Sequence, residues 1–416
     1  MYELLTLPNG VRIVSEPMEA VRSAAVGIWV AAGSRCEKRS ESGSAHFIEH
    51  MLFKGTAKHT AGELAQEMDA FGGQCNAFTS RNSTCFYARC PDTHLQKSID
   101  ILSEMFFDSL FDERDVIQER GVIVEEIGMY RDSPEDMVSE QLIAKCFPGS
   151  LGRSVLGTER SLALLTGESL KAFKEREYRS DRVVISLSGS FSDGHIASIA
   201  ERFSALPVQK KTKWKKAVYT AGTVLKRKAT EQNQFCLSWE GLPMGDERRY
   251  AWQLLSTIFG EGLSSRLFQT VRERYGLCYN IGSFTASFEE TGLFGISTGV
   301  NRDTEKKALA LIMDEVHKLL DEGVTARELD RSRELIKANL LMAEESTANR
   351  MNRNGSGIMQ LGSVCSVDEV QARYDAVTPD DILTLARELM VGEKLSLSAV
   401  GRLSGEEEYH AILGLD

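Results

Sequence analysis

Between Gly43 and Lys54 the order His46-Phe47-Ile48-Glu49-His50 sets two imidazoles four positions apart with a carboxylate between them. On a helix, residues four apart share a face, so His46 and His50 can direct ring nitrogens at one ion while Glu49 lies beside the same spot. Two neutral imidazoles joined by a carboxylate suit Zn²⁺ and leave a position open for water, the ligand arrangement of catalytic rather than structural zinc. Glu49 then stands where a general base would take a proton from that water. The order His-x-x-Glu-His reverses the His-Glu-x-x-His pattern in which two histidines hold zinc and the glutamate acts as base.

Such a site needs a third ligand. The segment from Asp112 to Tyr130 has apolar residues at Val116, Val122, Ile123 and Ile127, the pattern of an amphipathic helix, and it carries Glu119 and Glu126 seven positions apart. Seven positions are two turns, so both carboxylates share one stripe bordering the apolar face. A carboxylate held there is costly unless it is paired, hydrogen-bonded or bound to metal. Glu126 is the expected third ligand, and Glu119 the group that orients a ligating histidine. Glu125 is the fallback, but on a helix it points roughly 100° away from Glu126.

His46, Glu49 and His50, followed 76 positions later by Glu126, resemble the zinc signature of the pitrilysin/insulinase metallopeptidases, the inverzincins. The stretches Gly43 to Thr56 and Phe71 to Arg81 are most similar to the short branch that contains the mitochondrial processing peptidase β subunit and its bacterial relatives. The likeness covers most of the chain. It implies an α+β fold of two homologous domains, each a mostly antiparallel sheet packed on helices, closing as a clamshell when two copies dimerise. It also implies a zinc endopeptidase with one Zn²⁺ per chain, acting on peptides or unfolded segments in an enclosed chamber. The same family has catalytically silent assembly subunits, which have lost zinc ligands; here every ligand is present.

The elements that must position these groups follow from periodicity and punctuation. Strands at 11–15 and 24–32 precede the histidine helix, and a second helix over 61–71 starts at a Thr60/Glu63 capping box and stops at Gly72-Gly73. Alternating segments at 75–79 and 83–89 come next, then helices near 92–110, 112–131 and 134–146 and a strand at 183–187. The lysine-rich run Pro207 to Lys216 reads as solvated linker, giving domains over 1–208 and 229–416 joined through 209–228. The second half starts the plan again, with a strand at 234–239, helices at 248–259 and 263–274, strands within 277–299, and helices at 302–321 and 325–345. It has no His-x-x-Glu-His, so only the first half is expected to hold zinc.

Cys75-Asn-Ala-Phe-Thr79 follows a double glycine and has the character of an edge strand, able to take a peptide as an added strand. The resemblance makes Asn76 and Ala77 substrate contacts, with Phe78 a candidate beside them. It also makes Arg272 and Tyr279, seven apart, the family's Arg/Tyr pair, suitable donors to a carbonyl and its oxyanion. Single-chain members of the family carry four such domains and this chain has two, so a homodimer is expected in which Arg272 and Tyr279 of one copy serve the zinc of the other.

Composition bounds the rest. At 416 residues, 42% of them hydrophobic, the chain exceeds one ordinary core. The balance of 49 basic against 60 acidic residues gives −11, which argues against nucleic acid or an anionic membrane as partner and favours basic peptides. The amino terminus has neither a secretion signal nor an Arg-rich transit pattern, and no apolar run is long enough to span a bilayer, so a cytoplasmic location is expected. Eight cysteines without a Cys-x-x-Cys read as reduced thiols.

Overall fold

The computed structural model describes residues 2–208 and 216–415. It divides into two compact units, each assembled from discontinuous stretches. Unit 1 comprises Met1–Ile127, Arg153–Lys215 and Leu341–Ser366, and unit 2 comprises Gly128–Gly152, Lys216–Leu340 and Val367–Asp416.

Unit 1 is built on six strands: β1 (Glu3–Thr6), β2 (Arg12–Pro17), β3 (Ser23–Val30), β4 (Gln74–Thr79), β5 (Thr84–Pro91) and β6 (Val183–Gly189). Their order is β1-β2-β6-β3-β5-β4, antiparallel except for the β2–β6 pair. Its helices are α1 (Ser44–Met51), α2 (Ala61–Ala70), α3 (Leu95–Asp108), most of α4 (Glu113–Asp132), α6 (Glu159–Leu162), α7 (Gly167–Glu177), α8 (Asp193–Phe203) and, from much later in the chain, α12 (Thr347–Leu361). Unit 2 contains α5 (Pro134–Cys146), α9 (Arg249–Gly260), α10 (Glu305–Glu322), most of α11 (Ala326–Ala343), α13 (Val367–Ala376), α14 (Pro379–Leu389) and α15 (Glu406–Leu413). Its sheet runs β7 (Thr223–Arg227), β11 (Ser396–Gly401), β8 (Asn233–Gly241), β10 (Gly292–Val300) and β9 (Cys278–Ser287), antiparallel except for β7–β11.

The central strand β3 is apolar at seven of its eight positions or carries glycine there, and it is buried from Ala24 to Val30, because helices cover both faces of the sheet. One face rests on the main core, where Val26, Ile28 and Val30 meet Phe47, Ile48, Leu102 and Phe106. The other face carries α12, whose Met351 and Ile358 pack with Val14, Ala25, Trp29 and Val184. That approach is close enough to require glycine: a Cβ on Gly27 would sit 2.4 Å from Met351 Sδ, and one on Gly355 would sit 2.3 Å from Trp29 Nε1. In unit 2 the corresponding cover is α5, with Val138, Leu142 and Cys146 against Cys236, Leu293 and Val400.

The α+β plan with two similar units agrees with expectation; the contiguous division at 208 and 229 does not. Residues 128–152 belong to unit 2 and 341–366 to unit 1. Periodicity identifies α5 as a helix with an apolar stripe, yet says nothing about which sheet the stripe will cover. Of the expected linker 209–228, residues 209–215 lie outside the described residues, and Thr223–Arg227 is a strand, β7, paired in parallel with β11. The helix expected over 263–274 is a π-helical segment at Phe268–Arg274. All eight cysteines are free. Among the described residues no helix is long and apolar enough to cross a membrane.

Candidate metal centre

The helix α1 begins abruptly. Gly43 is its N-cap in the left-handed region at φ 96°, where a Cβ would meet Leu156 O at 2.9 Å. Two N–H groups at its start are satisfied from outside: Gly43 N–H donates to Glu37 Oε2 and Ala45 N–H to Glu37 Oε1, both at 2.9 Å. Burial pushes the Glu37 carboxyl up to about 8 against the pull of those two donors. Phe47, Ile48 and Met51 anchor the other side of α1 in the core, which leaves His46, Glu49 and His50 on the face toward α4 and β4.

On α4, Val116, Ile123 and Ile127 are buried, and Glu119 and Glu126 occupy the bordering stripe; Val122, expected in the apolar set, is exposed. Glu126 Oε2 lies 3.6 Å from His46 Nε2 and 3.7 Å from His50 Nε2. One donor atom from each of His46, His50 and Glu126 lies within 4.8 Å of the other two, and no other such group occurs among the described residues. The imidazole rings meet edge-on with centroids 4.5 Å apart. Glu125 is exposed and outside the group.

The electrostatics favour the donor form of His46. Burial, with the second imidazole alongside, pushes His46 down to about 3, so its ring is neutral at ordinary pH. His50 Nδ1 faces Glu119 Oε1 at 3.0 Å, an acceptor for its N–H that, in the neutral ring, puts the lone pair on Nε2 at the Glu126 side. Glu119 is 5% exposed at its side chain, and its Oε2 forms an ion pair with Lys54 Nζ at 2.6 Å. Glu49 and Glu126 are both raised by burial. Glu49 Oε2 is buried without a hydrogen-bond partner, while the Thr79 hydroxyl beside the carboxyl favours its charged form. Thr79 in turn meets Thr84 Oγ1 at 3.2 Å, and Thr84 donates to Ala32 O at 2.9 Å.

Two imidazoles and one carboxylate, all reachable by one ion, form a donor set that fits Zn²⁺. The substrate-contact candidates lie nearby in unit 1. β4 pairs with β5 on one side only and forms the sheet's end. Asn76 is exposed with its Oδ1 accepting from Ala77 N–H at 2.8 Å, Ala77 packs toward the core, and Phe78 is 38% exposed against Trp29 and Tyr87.

Arg272 and Tyr279 come together in unit 2. The guanidinium lies 5.0 Å from the Tyr279 ring centroid and 4.4 Å from that of Phe268. The β9–β10 register slips between Thr298 and Val300, so Tyr279 and Asn280 bulge opposite Gly299, and Tyr279 is 71% exposed. The pair lines a cavity of about 430 Å³ with Gln232, Gln234, Asn280 and Thr298.

Sequence reasoning missed Glu37 and Lys54. Nothing in the sequence marks Glu37, a carboxylate in a loop that folds back to cap a later helix. Lys54 was detectable: it continues the His46–His50 spacing by four more positions.

A sequence model described as Insulinase (Peptidase family M16) matches residues 12–159, which contain all three candidate ligands, and one described as Peptidase M16 inactive domain matches residues 165–336. The chain belongs to the insulinase family. Its relatives in that family include an uncharacterized zinc protease of Bacillus subtilis, 40% identical over 94% of this chain and 96% of that protein. Another, from Streptomyces coelicolor, is 38% identical over 97% of this chain and 90% of its own. Among solved structures, a protease from Helicobacter pylori shares the fold with a TM-score of 0.88 at 22% identity, covering 96% of this chain and 99% of that one. A peptidase M16 inactive domain from Pseudomonas fluorescens gives 0.90 at 19% identity, covering 97% and 99%. The family assignment identifies a peptidase lineage whose named relatives are zinc proteases, and the His46–His50–Glu126 cluster is where this member can hold the metal.

Proposed function

We propose that this protein is a zinc-dependent endopeptidase that hydrolyses peptides or unfolded segments, related to the processing peptidases. One Zn²⁺ per chain is held by His46, His50 and Glu126. The single observation that carries the reading is the convergence of those three donor atoms within 4.8 Å of one another, with Glu49 on the same helix face.

Zinc, when bound, supplies Lewis acidity toward a peptide carbonyl and toward water. Glu49 takes a proton from the attacking water and returns it to the leaving amine. The outer edge of β4 receives the peptide as an added strand, with main-chain hydrogen bonds along Asn76 and Ala77 and apolar contact at Phe78. Two copies form a homodimer that encloses the substrate, and Arg272 and Tyr279 of the partner subunit donate to the carbonyl oxygen as its charge develops. The exposure of Tyr279 in a bulge, with Arg272 stacked on it, supports a role outside the core of its own unit. The reduced cysteines support a cytoplasmic location. Neither nucleic acid nor membrane is among the partners.

Zinc content measured beside cleavage of a quenched peptide library tests the reading. The expected result is one zinc per chain and cleavage abolished by chelator and by Glu49→Gln. Full zinc with no cleavage of any peptide would instead favour a silent assembly subunit.

A further inference from the structure

The stripe that carries the two histidines does not end with α1. After Met51 the chain continues in tight turns, with Phe53 N–H donating to His50 O and Lys54 N–H to Met51 O, each at 3.1 Å. Lys54 therefore stays on the side of His46 and His50, opposite the stripe of α4 that bears Glu119 and Glu126. The two stripes interlock: Glu126 faces both imidazoles, and Glu119 divides its oxygens between His50 Nδ1 at 3.0 Å and Lys54 Nζ at 2.6 Å. Among the described residues Lys54 is the one lysine or arginine paired with Glu119. His46 has no counterpart to this arrangement, because its Nδ1 is buried without a hydrogen-bond partner.

We propose that Lys54 is a positioning residue for the metal site, acting on His50 through Glu119. A carboxylate withdrawn from water is costly unless its charge is compensated and its lone pairs are used. Lys54 compensates the Glu119 oxygen that His50 does not use, which holds the carboxylate plane in place. Glu119 so fixed accepts from His50 Nδ1–H and keeps His50 Nε2 as the lone-pair nitrogen beside Glu126. Without the ammonium, the carboxylate is free to turn toward solvent, and His50 loses the acceptor that sets its tautomer and ring angle. Carboxylate partners of ligating histidines typically change metal affinity by about 10–100-fold when removed. The lysine extends that support by one more residue.

The inference rests on the zinc reading, and its test is binding rather than turnover. Zinc affinity of the full-length protein is measured by competition with a fluorescent chelator for the wild type, Lys54→Met, Lys54→Arg, Glu119→Gln and the Lys54→Met/Glu119→Gln double variant, with Lys54→Gln as a second neutral substitution in case the Met variant does not fold. The expected result is about 10-fold weaker zinc binding for either neutral variant, near-wild-type binding for Lys54→Arg, and no further loss when Lys54→Met is added to Glu119→Gln. Wild-type affinity in the neutral variants, or losses that multiply in the double variant, would overturn the role of Lys54 while leaving the zinc site standing. A wild type that takes up no zinc would overturn the zinc reading itself, and this inference with it.

Discussion

Units 1 and 2 share a plan and differ in chemistry. Each has a parallel strand pair toward one edge, β2–β6 or β7–β11, and antiparallel strands running to the other, and each has its sheet backed by a helix from the opposite half of the sequence, α12 or α5. The helix that follows the first long central strand is α1 in unit 1 and α9 in unit 2. α1 turns His46, Glu49 and His50 toward α4, whereas α9 buries Trp252, Leu254, Leu255, Ile258 and Phe259 and directs Gln253, Ser256 and Thr257 to the Glu261 carboxylate. The long helix that answers it carries Glu119 and Glu126 seven apart in unit 1, and Leu329 and Ile336 seven apart, both buried, in unit 2. One scaffold thus presents a candidate metal-binding stripe in one copy and buried apolar residues at the same spacing in the other. The site lies in a handful of side chains, and the fold supplies only their spacing.

Breaking the stripe in unit 1 is expected to have the largest effect. His50→Ala or Glu126→Ala removes a ligand, and zinc content by elemental analysis falls to a small fraction of the wild-type value, with cleavage lost. Removing the metal by chelator does the same reversibly, and added zinc restores cleavage. Glu49→Gln separates chemistry from binding: zinc stays, while kcat falls by about 10²–10⁴, the usual contribution of a general base.

The next largest effect is expected from unit 2. Tyr279→Phe keeps full zinc and lowers kcat by about 10²-fold, as for loss of one oxyanion donor. Mixing Tyr279→Phe subunits with Glu49→Gln subunits then sharpens the comparison, because a site shared between copies regains activity in the mixture. No gain over the separate variants would assign Arg272 and Tyr279 to the zinc of their own chain. The smallest effects on turnover come from the backing helices. Met351→Ala in unit 1 and Leu142→Ala in unit 2 each delete a fully buried side chain and cost about 2–5 kcal/mol of stability by denaturant unfolding. Zinc uptake by the folded protein is unchanged in both.

The parts of the site that lie on one helix face were legible in the sequence. Spacings of four and seven residues place His46 with His50 on one helix stripe and Glu119 with Glu126 on another, and Thr60 with Glu63 marks the start of α2, where the capping box is present. What depends on partners distant in sequence was not legible. Glu37 reaches its helix through a loop, and α5 and α12 display apolar stripes without stating which sheet each will cover. β11 was hidden for a different reason. Its Ser396 and Ser398 look like surface positions, yet both are buried, Ser398 donating to Val138 O at 2.7 Å and Ser396 meeting the Tyr219 hydroxyl at 2.8 Å. A polar residue whose hydrogen bonds are met can occupy a core strand, and sequence alone does not reveal the bond.

X-ray absorption at the zinc edge, on wild type and Glu126→Ala loaded with one equivalent of zinc, tests the central claim most directly. The account predicts two imidazole nitrogens at roughly 2.0 Å and a carboxylate oxygen in the wild type, with the oxygen contribution and the affinity both reduced in the variant. Sulfur ligation at roughly 2.3 Å, or a spectrum and affinity unchanged by Glu126→Ala, would contradict it.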